Sequence, residues 1–191
     1  MNARDNPFAT DRVERLLAFR PEWSGTDWNT IDGRWKNNNH RGTLTGRHGS
    51  GKTTFIDAWK KRLTGQGDHV ICFFLNRDQR DLSPGHWQQL ENCADSTVIL
   101  DGEEQLSWLA RRRFYQLTSR TSGLLVSRHE GGKLPELLHF DPDLRILRLC
   151  IEHLAADHYQ QLSPHLVDWW EQTHGNIREV LLRCYDAVGN L

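Results

Sequence analysis

The chain has 191 residues, of which 37% are hydrophobic and 26% are charged, as is usual for one globular domain. Its 24 basic and 25 acidic residues leave a net charge of −1, so nucleic-acid binding is not indicated and no membrane association is expected. Residues 1–10 lack the apolar segment of a secretory signal, and no apolar run reaches the roughly 18 residues that a transmembrane helix needs. We therefore expect a cytoplasmic protein.

The cysteines and histidines give no sign of a metal site. The four cysteines are far apart in the chain, and the ten histidines show none of the spacings typical of zinc ligands. Buried free thiols are the expected state of the cysteines.

Residues 1–40 are predicted to form a helical, tryptophan-rich preamble that packs on the core. A short helix is expected over residues 11–19. Trp28, Ile31 and Trp35 follow at helical spacing, which indicates a second helix with one apolar face. Packing onto the domain is the simplest role for these tryptophans. A further hypothesis places part of the preamble against a bound adenine base.

The sequence GRHGSGKT, from Gly46 to Thr53, fits the pattern G-x-x-x-x-G-K-[ST] of a phosphate-binding loop. A β-branched segment, residues 41–45, precedes it, and residues 52–63 have helical periodicity, which is the required context. The residues predicted to bind nucleotide in this region are Gly46, Arg47, His48, Gly49, Ser50, Gly51, Lys52, Thr53 and Thr54.

Further strands and helices alternate after the loop, which predicts right-handed crossovers and a parallel sheet. Residues 68–75 are continuously apolar, as in a strand covered on both faces. The other expected elements are a short helix over 84–90, a strand over 96–101, a helix over 105–120 with Leu106, Leu109, Phe114 and Leu117 in the core, a strand over 123–127, a loop over 130–143 and a fifth strand near 144–149.

The chain is thus expected to divide into three parts. Residues 1–40 are the preamble, 41–150 an α/β core with five parallel strands, and 151–191 a small helical lid. In the lid, Asn176 is the predicted cap of a last helix that ends near Gly189.

Acidic residues follow the third predicted strand. Asp101 ends this strand and is expected to hold Mg²⁺ together with Thr53, while Lys52 contacts the phosphates. Glu104 is the favoured group for polarising the attacking water, Glu103 is the alternative, and simple surface solvation is the third interpretation. The predicted catalytic residues are therefore Lys52, Asp101, Glu103 and Glu104.

The segments GRHGSGKT, VILDGEE, GLLVSRH and GNIREVLL together resemble the P-loop ATPases of the AAA+ class and its small bacterial relatives, over residues 40–188. The first two segments correspond to the Walker A and Walker B motifs. The resemblance implies a three-layer fold with sheet order 5-1-4-3-2. It also implies that Ser127 or His129 senses the γ-phosphate, and that Arg178 reaches the nucleotide from the lid.

The leading functional prediction is Mg²⁺-dependent ATP hydrolysis that switches or drives an unidentified protein partner. ATP is preferred to GTP because no N-K-x-D sequence follows the later strands. The alternatives are a P-loop kinase for a small metabolite and a non-hydrolysing nucleotide-binding regulatory subunit. Residues 111–113, a run of three arginines, are expected to form a solvated helix face, and no arginine finger is identifiable, so self-assembly stays open.

Overall fold

A computed structural model describes residues 6–189, which contain a five-stranded sheet with the strand order β2-β3-β4-β1-β5. The pairs β1–β4, β3–β4 and β2–β3 are parallel. Read from the other edge, this is the predicted order 5-1-4-3-2, so the predicted fold class is confirmed. The strands are β1 (Arg41–Gly46), β2 (His69–Phe74), β3 (Ser96–Asp101), β4 (Gly123–Arg128) and β5 (Glu136–Phe140).

A helix lies between each pair of successive strands from β1 to β4, whereas residues 129–135 join β4 to β5 without a helix, and residues 144–189 form a series of helices. Asp27, Ser83, Ser107 and Asp143 each accept a backbone N–H at the start of a helix, which accounts for four helix starts. The helices within residues 6–189 are α1 (Thr10–Leu16), α2 (Trp28–Asn37), α3 (Lys52–Gly65), α4 (Pro84–Glu91), α5 (Trp108–Leu117), α6 (Leu144–Ala155), α7 (Tyr159–Leu162), α8 (Leu166–Gln172) and α9 (Ile177–Gly189).

The position of the fifth strand was predicted wrongly. It lies at Glu136–Phe140, inside the segment expected to be a loop, and Leu144–Ala155 is helix α6 instead. The α6 sequence buries residues at helical spacing, namely Leu147, Cys150, Ile151 and Leu154. The strand is short and follows a proline, which makes its local signal weak. Gly42 of β1 permits its close approach, because a Cβ at Gly42 would lie 2.9 Å from Leu137 Cβ.

Two expectations about burial were also wrong. Strand β2 is the edge strand of the sheet, and its Cys72 and Phe74 are exposed, so it is not covered on both faces. In α5, Leu109 is 69% exposed, whereas Leu106 and Phe114 are buried. The helix starts at Trp108 rather than at residue 105, and this start places Leu109 in the solvent-facing first turn.

The chain divides into two compact units. One comprises residues up to Thr26, Arg47–Phe55 and residues from Phe140 onward, and the other comprises Asp27–Gly46 and Ile56–His139. Each has its own apolar cluster. The first cluster is built from Phe8 and the buried faces of α6 and α9, and the second from β2, β3, β4 and α5. The predicted three-part division at residues 40 and 150 stays a prediction.

Helix α2 packs on the sheet of the second unit through its predicted apolar face. Ile31 and Trp35 are buried, and a Cβ at Gly123 of β4 would lie 2.9 Å from Trp35 Cζ2. Trp28 stacks on Trp59 of α3 with 6.1 Å between the ring centroids. Trp35 thus packs on the sheet and Trp28 on α3 within this unit, and the preamble as a separate part of the chain stays a prediction.

The cysteines in the described residues are free thiols. Burial raises the pKa of Cys150 and of Cys184 to about 12, so both remain protonated at neutral pH. Between residues 6 and 189, no helix combines the length and the apolar character needed to cross a membrane.

Replacing Asp143 by alanine tests the start of α6. The Asp143 carboxylate accepts the Ile146 N–H at 2.8 Å, and loss of such a cap costs about 1 kcal/mol. We expect the thermal midpoint to fall by about 2–4 °C for a chain of this size. Asp143→Asn keeps the cap and should melt close to the wild type in calorimetry. Equal midpoints for the alanine variant and the wild type would contradict this assignment.

Candidate functional site

The loop between β1 and α3 has a backbone that only glycine adopts readily. Gly46, Gly49 and Gly51 have φ angles of 142°, 69° and 100°, all in the region that residues with a Cβ avoid. The loop leads directly into α3, a 14-residue helix whose first amide groups lack intrahelical acceptors. Backbone amides and a helix amino end together form an anion-binding site. This conformation is the one that the sequence motif requires.

Polar side chains of the loop are placed for phosphate contact. Lys52 Nζ donates a hydrogen bond to the carbonyl oxygen of Arg47 at 2.8 Å, so the lysine reaches back across the loop. The Ser50 side-chain oxygen is buried and has no hydrogen-bond partner within residues 6–189. A buried hydroxyl without a partner costs free energy, and a bound phosphate oxygen would satisfy it. Thr53 and His48 are exposed, and Thr54 is half-buried.

The lid helix α9 begins against the loop. A Cβ added at Gly49 would overlap the Asn176 side-chain amide, so Gly49 is required by this contact as well as by its φ angle. Asn176 is itself held by Glu179, whose carboxylate accepts its Nδ2–H at 2.7 Å. Arg178 lies in the first turn of α9 and is exposed. The structure therefore brings the Gly175–Arg178 segment to the phosphate-binding loop.

An aromatic cluster surrounds Gly51 and the start of α3. Phe140 contacts the position of a Gly51 Cβ at 3.9 Å. Phe55 packs edge-on against Phe140 with 5.9 Å between ring centroids, and Phe19 of the N-terminal segment packs against Phe55 at 5.0 Å. The N-terminal segment is thus in contact with the helix that follows the loop.

A cleft of about 460 Å³ opens beside Arg47. Sequence reasoning did not identify most of its residues, because they come from the turn after β5 and the end of α8 and have no motif of their own. Its lining residues are Arg47, Asp141, Pro142, Asp143, Leu144, Trp170, Glu171, His174 and Gly175.

In the second unit, Asp101 ends β3 and is nearly buried. The Ser127 hydroxyl donates a hydrogen bond to the Asp101 carboxylate and accepts one from the Gly102 N–H at 3.0 Å. Ser127 is 1% exposed, so its hydroxyl is committed to this buried pair. Gly102 has a φ angle of 88°, and a Cβ there would overlap the Leu75 carbonyl oxygen. The chain therefore turns sharply after Asp101.

Glu103 and Glu104 have very different surroundings. Glu103 is fully buried, with Arg111 Nε 2.9 Å from one carboxylate oxygen and Arg128 Nη1 3.3 Å from the other. The pKa of the neighbouring Tyr115 is raised, mainly by burial and further by the Glu103 carboxylate. The Glu104 side chain is 22% exposed, and its carboxylate lies 3.5 Å from His129 Nε2.

The predicted site residues fall in both units. Lys52, Thr53 and Arg178 belong to the first, whereas Asp101, Glu104 and His129 belong to the second. Within the second unit, the Gly46 N–H donates to the His129 carbonyl oxygen at 3.2 Å. The loop therefore leaves the sheet beside the end of β4.

The carboxylate content fits Mg²⁺ better than a dedicated metal cage. Between residues 6 and 189, no three His, Cys, Asp or Glu side chains converge on one metal position. Magnesium in nucleotide sites needs only one or two protein ligands, because water and phosphate oxygens complete its shell. Thr53, a hydroxyl in the first unit, and Asp101, a carboxylate in the second, are the side chains predicted to supply such ligands.

Comparison with known proteins gives the same class of fold. Residues 24–71 match the family model described as the P-loop containing region of AAA domain. No curated protein matches the chain. The structure of the Aeropyrum pernix Orc1 protein in complex with DNA is similar, with a TM-score of 0.62 and 14% identity over 92% of this chain and 60% of that chain. Cdc6p from Pyrobaculum aerophilum matches with a TM-score of 0.51 and 17% identity over 80% of this chain and 53% of that chain.

The fold and the loop between β1 and α3 are those of a P-loop protein, and residues 24–71 are similar to the P-loop region of AAA domains, as the sequence motifs predicted. At these identities the two solved structures show likeness of fold alone. The chain also spans only about three fifths of the Orc1 chain, so the activities of the longer proteins do not transfer with the fold.

Gly102→Ala tests the turn after Asp101. The left-handed conformation alone costs a residue with a Cβ about 1–2 kcal/mol, and overlap with the Leu75 carbonyl oxygen adds to this cost. We expect a clear loss of stability in chemical denaturation. Gly33→Ala, in the open middle of α2, is the matched control and should be neutral or stabilising by up to about 1 kcal/mol. Similar losses of stability in the two variants would contradict the requirement for glycine at position 102.

Proposed function

We propose that the protein binds ATP and hydrolyses it with Mg²⁺, and that the hydrolysis switches or drives a protein partner. The observation that carries this proposal is the loop from Gly46 to Thr53. It combines three left-handed glycines, a buried Ser50 hydroxyl without a partner and the amino end of a long helix. Together these features match the requirements of an anionic phosphate chain.

In this proposal, the loop residues hold the phosphates and the lysine neutralises them. The backbone amides of Gly49, Ser50 and Gly51 and the hydroxyl of Ser50 donate to phosphate oxygens. Lys52 exchanges its bond to the Arg47 carbonyl for a stronger, charge-assisted bond to phosphate. Arg178 extends from the exposed first turn of α9 toward the nucleotide.

We assign the metal to Thr53 and Asp101. Magnesium supplies charge neutralisation on the phosphate oxygens when it is bound. Asp101 is held in place by the Ser127 hydroxyl, which fixes the carboxylate at the end of β3. Parallel strands end at one edge of a sheet, and β1 and β3 are both central strands of this sheet. That topology supports the assignment of residues that follow β1 and end β3 to one site.

Glu104 is our choice for the group that orients the attacking water. A general base must be accessible, and Glu104 is partly exposed, whereas both oxygens of Glu103 are engaged by arginines. His129, beside Glu104, is the proposed γ-phosphate sensor. For the base of the nucleotide, we favour the N-terminal segment, because Phe19 packs at the helix that follows the loop.

The partner is proposed to be a protein. The Orc1 structure contains DNA, but a net charge of −1 gives this chain no strong field for a polyanion. Trp108 at the start of α5 is 68% exposed, and tryptophan is enriched among the residues that carry the binding energy of protein interfaces.

Two variants test the activity. Lys52→Ala removes the cation that binds the phosphates, so we expect ATP to give no thermal stabilisation, whereas the wild type gains about 2.7 kcal/mol at a hundredfold excess over Kd. Glu104→Gln should keep the stabilisation and lose phosphate release by a factor of about 100 or more. Melting curves and a phosphate-release assay on the same samples provide both readings.

The two assays also separate the competing functions. Stabilisation by ATP without phosphate release in the wild type would indicate a regulatory nucleotide-binding subunit. Phosphate release that depends on a small metabolite, with that metabolite phosphorylated in mass spectrometry, would indicate a kinase. Full hydrolysis in both variants would contradict the site itself.

A further inference from the structure

The ion pairs of Glu103 involve a fully buried carboxylate that the proposed chemistry does not use. A carboxylate with no exposed surface is costly, and it is tolerated only when cations and hydrogen bonds compensate it. Arg111 compensates it from α5 and Arg128 from the end of β4. Glu103 therefore joins two elements that are separate in sequence.

Arg111 does more than neutralise Glu103. Its Nη2 group donates to the carbonyl oxygen of Glu104 at 3.3 Å and to that of Leu106 at 3.1 Å, while its Nε faces Glu103. One planar guanidinium therefore contacts three residues of this turn, namely Glu103, Glu104 and Leu106. The turn has only one short 3₁₀ helix, Glu103–Gln105, to define its own geometry.

Arg128 pairs with the second carboxylate oxygen of Glu103. It precedes His129, whose ring lies 3.5 Å from the Glu104 carboxylate, and its guanidinium packs on the backbone at Gly132. Of the two arginines that pair with Glu103, Arg111 therefore binds the backbone of the turn that carries Glu104, and Arg128 is the residue before His129.

From these contacts we infer that Arg111 is a positioning residue that sets the orientation of Glu104, with Glu103 as its buried anchor. This inference rests on the proposed hydrolysis by Glu104. Arg111 does not touch substrate in this role. It acts because a rigidly placed carboxylate orients water at the reacting phosphate, and misplacement by about 1 Å costs on the order of a hundredfold in rate.

The same contacts correct the expectation for residues 111–113. Arg111 was expected on a solvated face with its two neighbours, but its side chain is only 28% exposed and turns inward. Arg112 and Arg113 do lie on the exposed face, and within residues 6–189 Arg112 forms no ion pair with an acidic residue. Arg112 is therefore a matched control of the same type, one residue away.

The test compares Arg111→Gln, Arg111→Lys and Arg112→Gln in the full chain. The measurements are the Kd for ATP, kcat for phosphate release and the thermal midpoint. Arg111→Gln should lower kcat by about 10- to 100-fold and change Kd by less than about twofold. Arg111→Lys, which keeps the charge but loses the planar fork, should recover only part of kcat. Arg112→Gln should match the wild type.

A double variant distinguishes positioning of Glu104 from any other effect. In the Glu104→Gln background, Arg111→Gln should add less than about a threefold further loss, because residues that act as a unit are not additive. A multiplicative loss in the double variant, or an unchanged kcat in Arg111→Gln, would overturn the inference.

Loss of Arg111 leaves Glu103 buried and unpaired, so Arg111→Gln could fail to fold. Glu103→Gln/Arg111→Gln removes the unpaired carboxylate and leaves a neutral side chain of the same size at the buried position 103. This double variant is expected to fold, bind ATP and show the reduced kcat, and wild-type turnover in it would also overturn the inference. Absence of phosphate release in the wild type would contradict the proposed function instead.

Discussion

The backbone of the phosphate-binding loop is the constraint on which this structure depends. Three glycines adopt φ angles that other residues avoid, and the chain can therefore pass from β1 into α3 with its amides available for an anion. The start of α9 also depends on a glycine of this loop, because a Cβ at position 49 would overlap the Asn176 side chain. A loop conformation chosen for phosphate binding thus also determines where the C-terminal helices meet the loop.

In the second unit, three acidic residues lie at or just after the end of the buried strand β3. Asp101 is held by a neighbouring hydroxyl, and Glu103 is neutralised by two arginines. Only Glu104 keeps partial access to solvent. Consecutive glutamates in one turn therefore have different environments, one buried between two arginines and the other partly exposed.

Much of the fold was predictable because its signals are local. The loop motif, the helix cap at Asn176 and the apolar strand before Asp101 each depend on a few neighbouring residues, and the structure has the predicted elements there. The resemblance to AAA+ proteins supplied the strand order. The errors came from elements whose surroundings lie far away in sequence. Strand β5 has a weak local signal and pairs with β1, while the edge position of β2 decides that Cys72 is exposed.

The sequence by itself determined the P-loop and the helix that follows it, since the motif and the amphipathic helix are specified within about twenty residues. Tertiary structure alone decided the environments of Glu103 and Glu104. The two residues are adjacent and identical in type, and no periodicity distinguishes them. Only the positions of Arg111 and Arg128, brought in from α5 and β4, bury one carboxylate and leave the other accessible. Charge pairing between distant segments is a property of the fold, and a linear sequence does not display it.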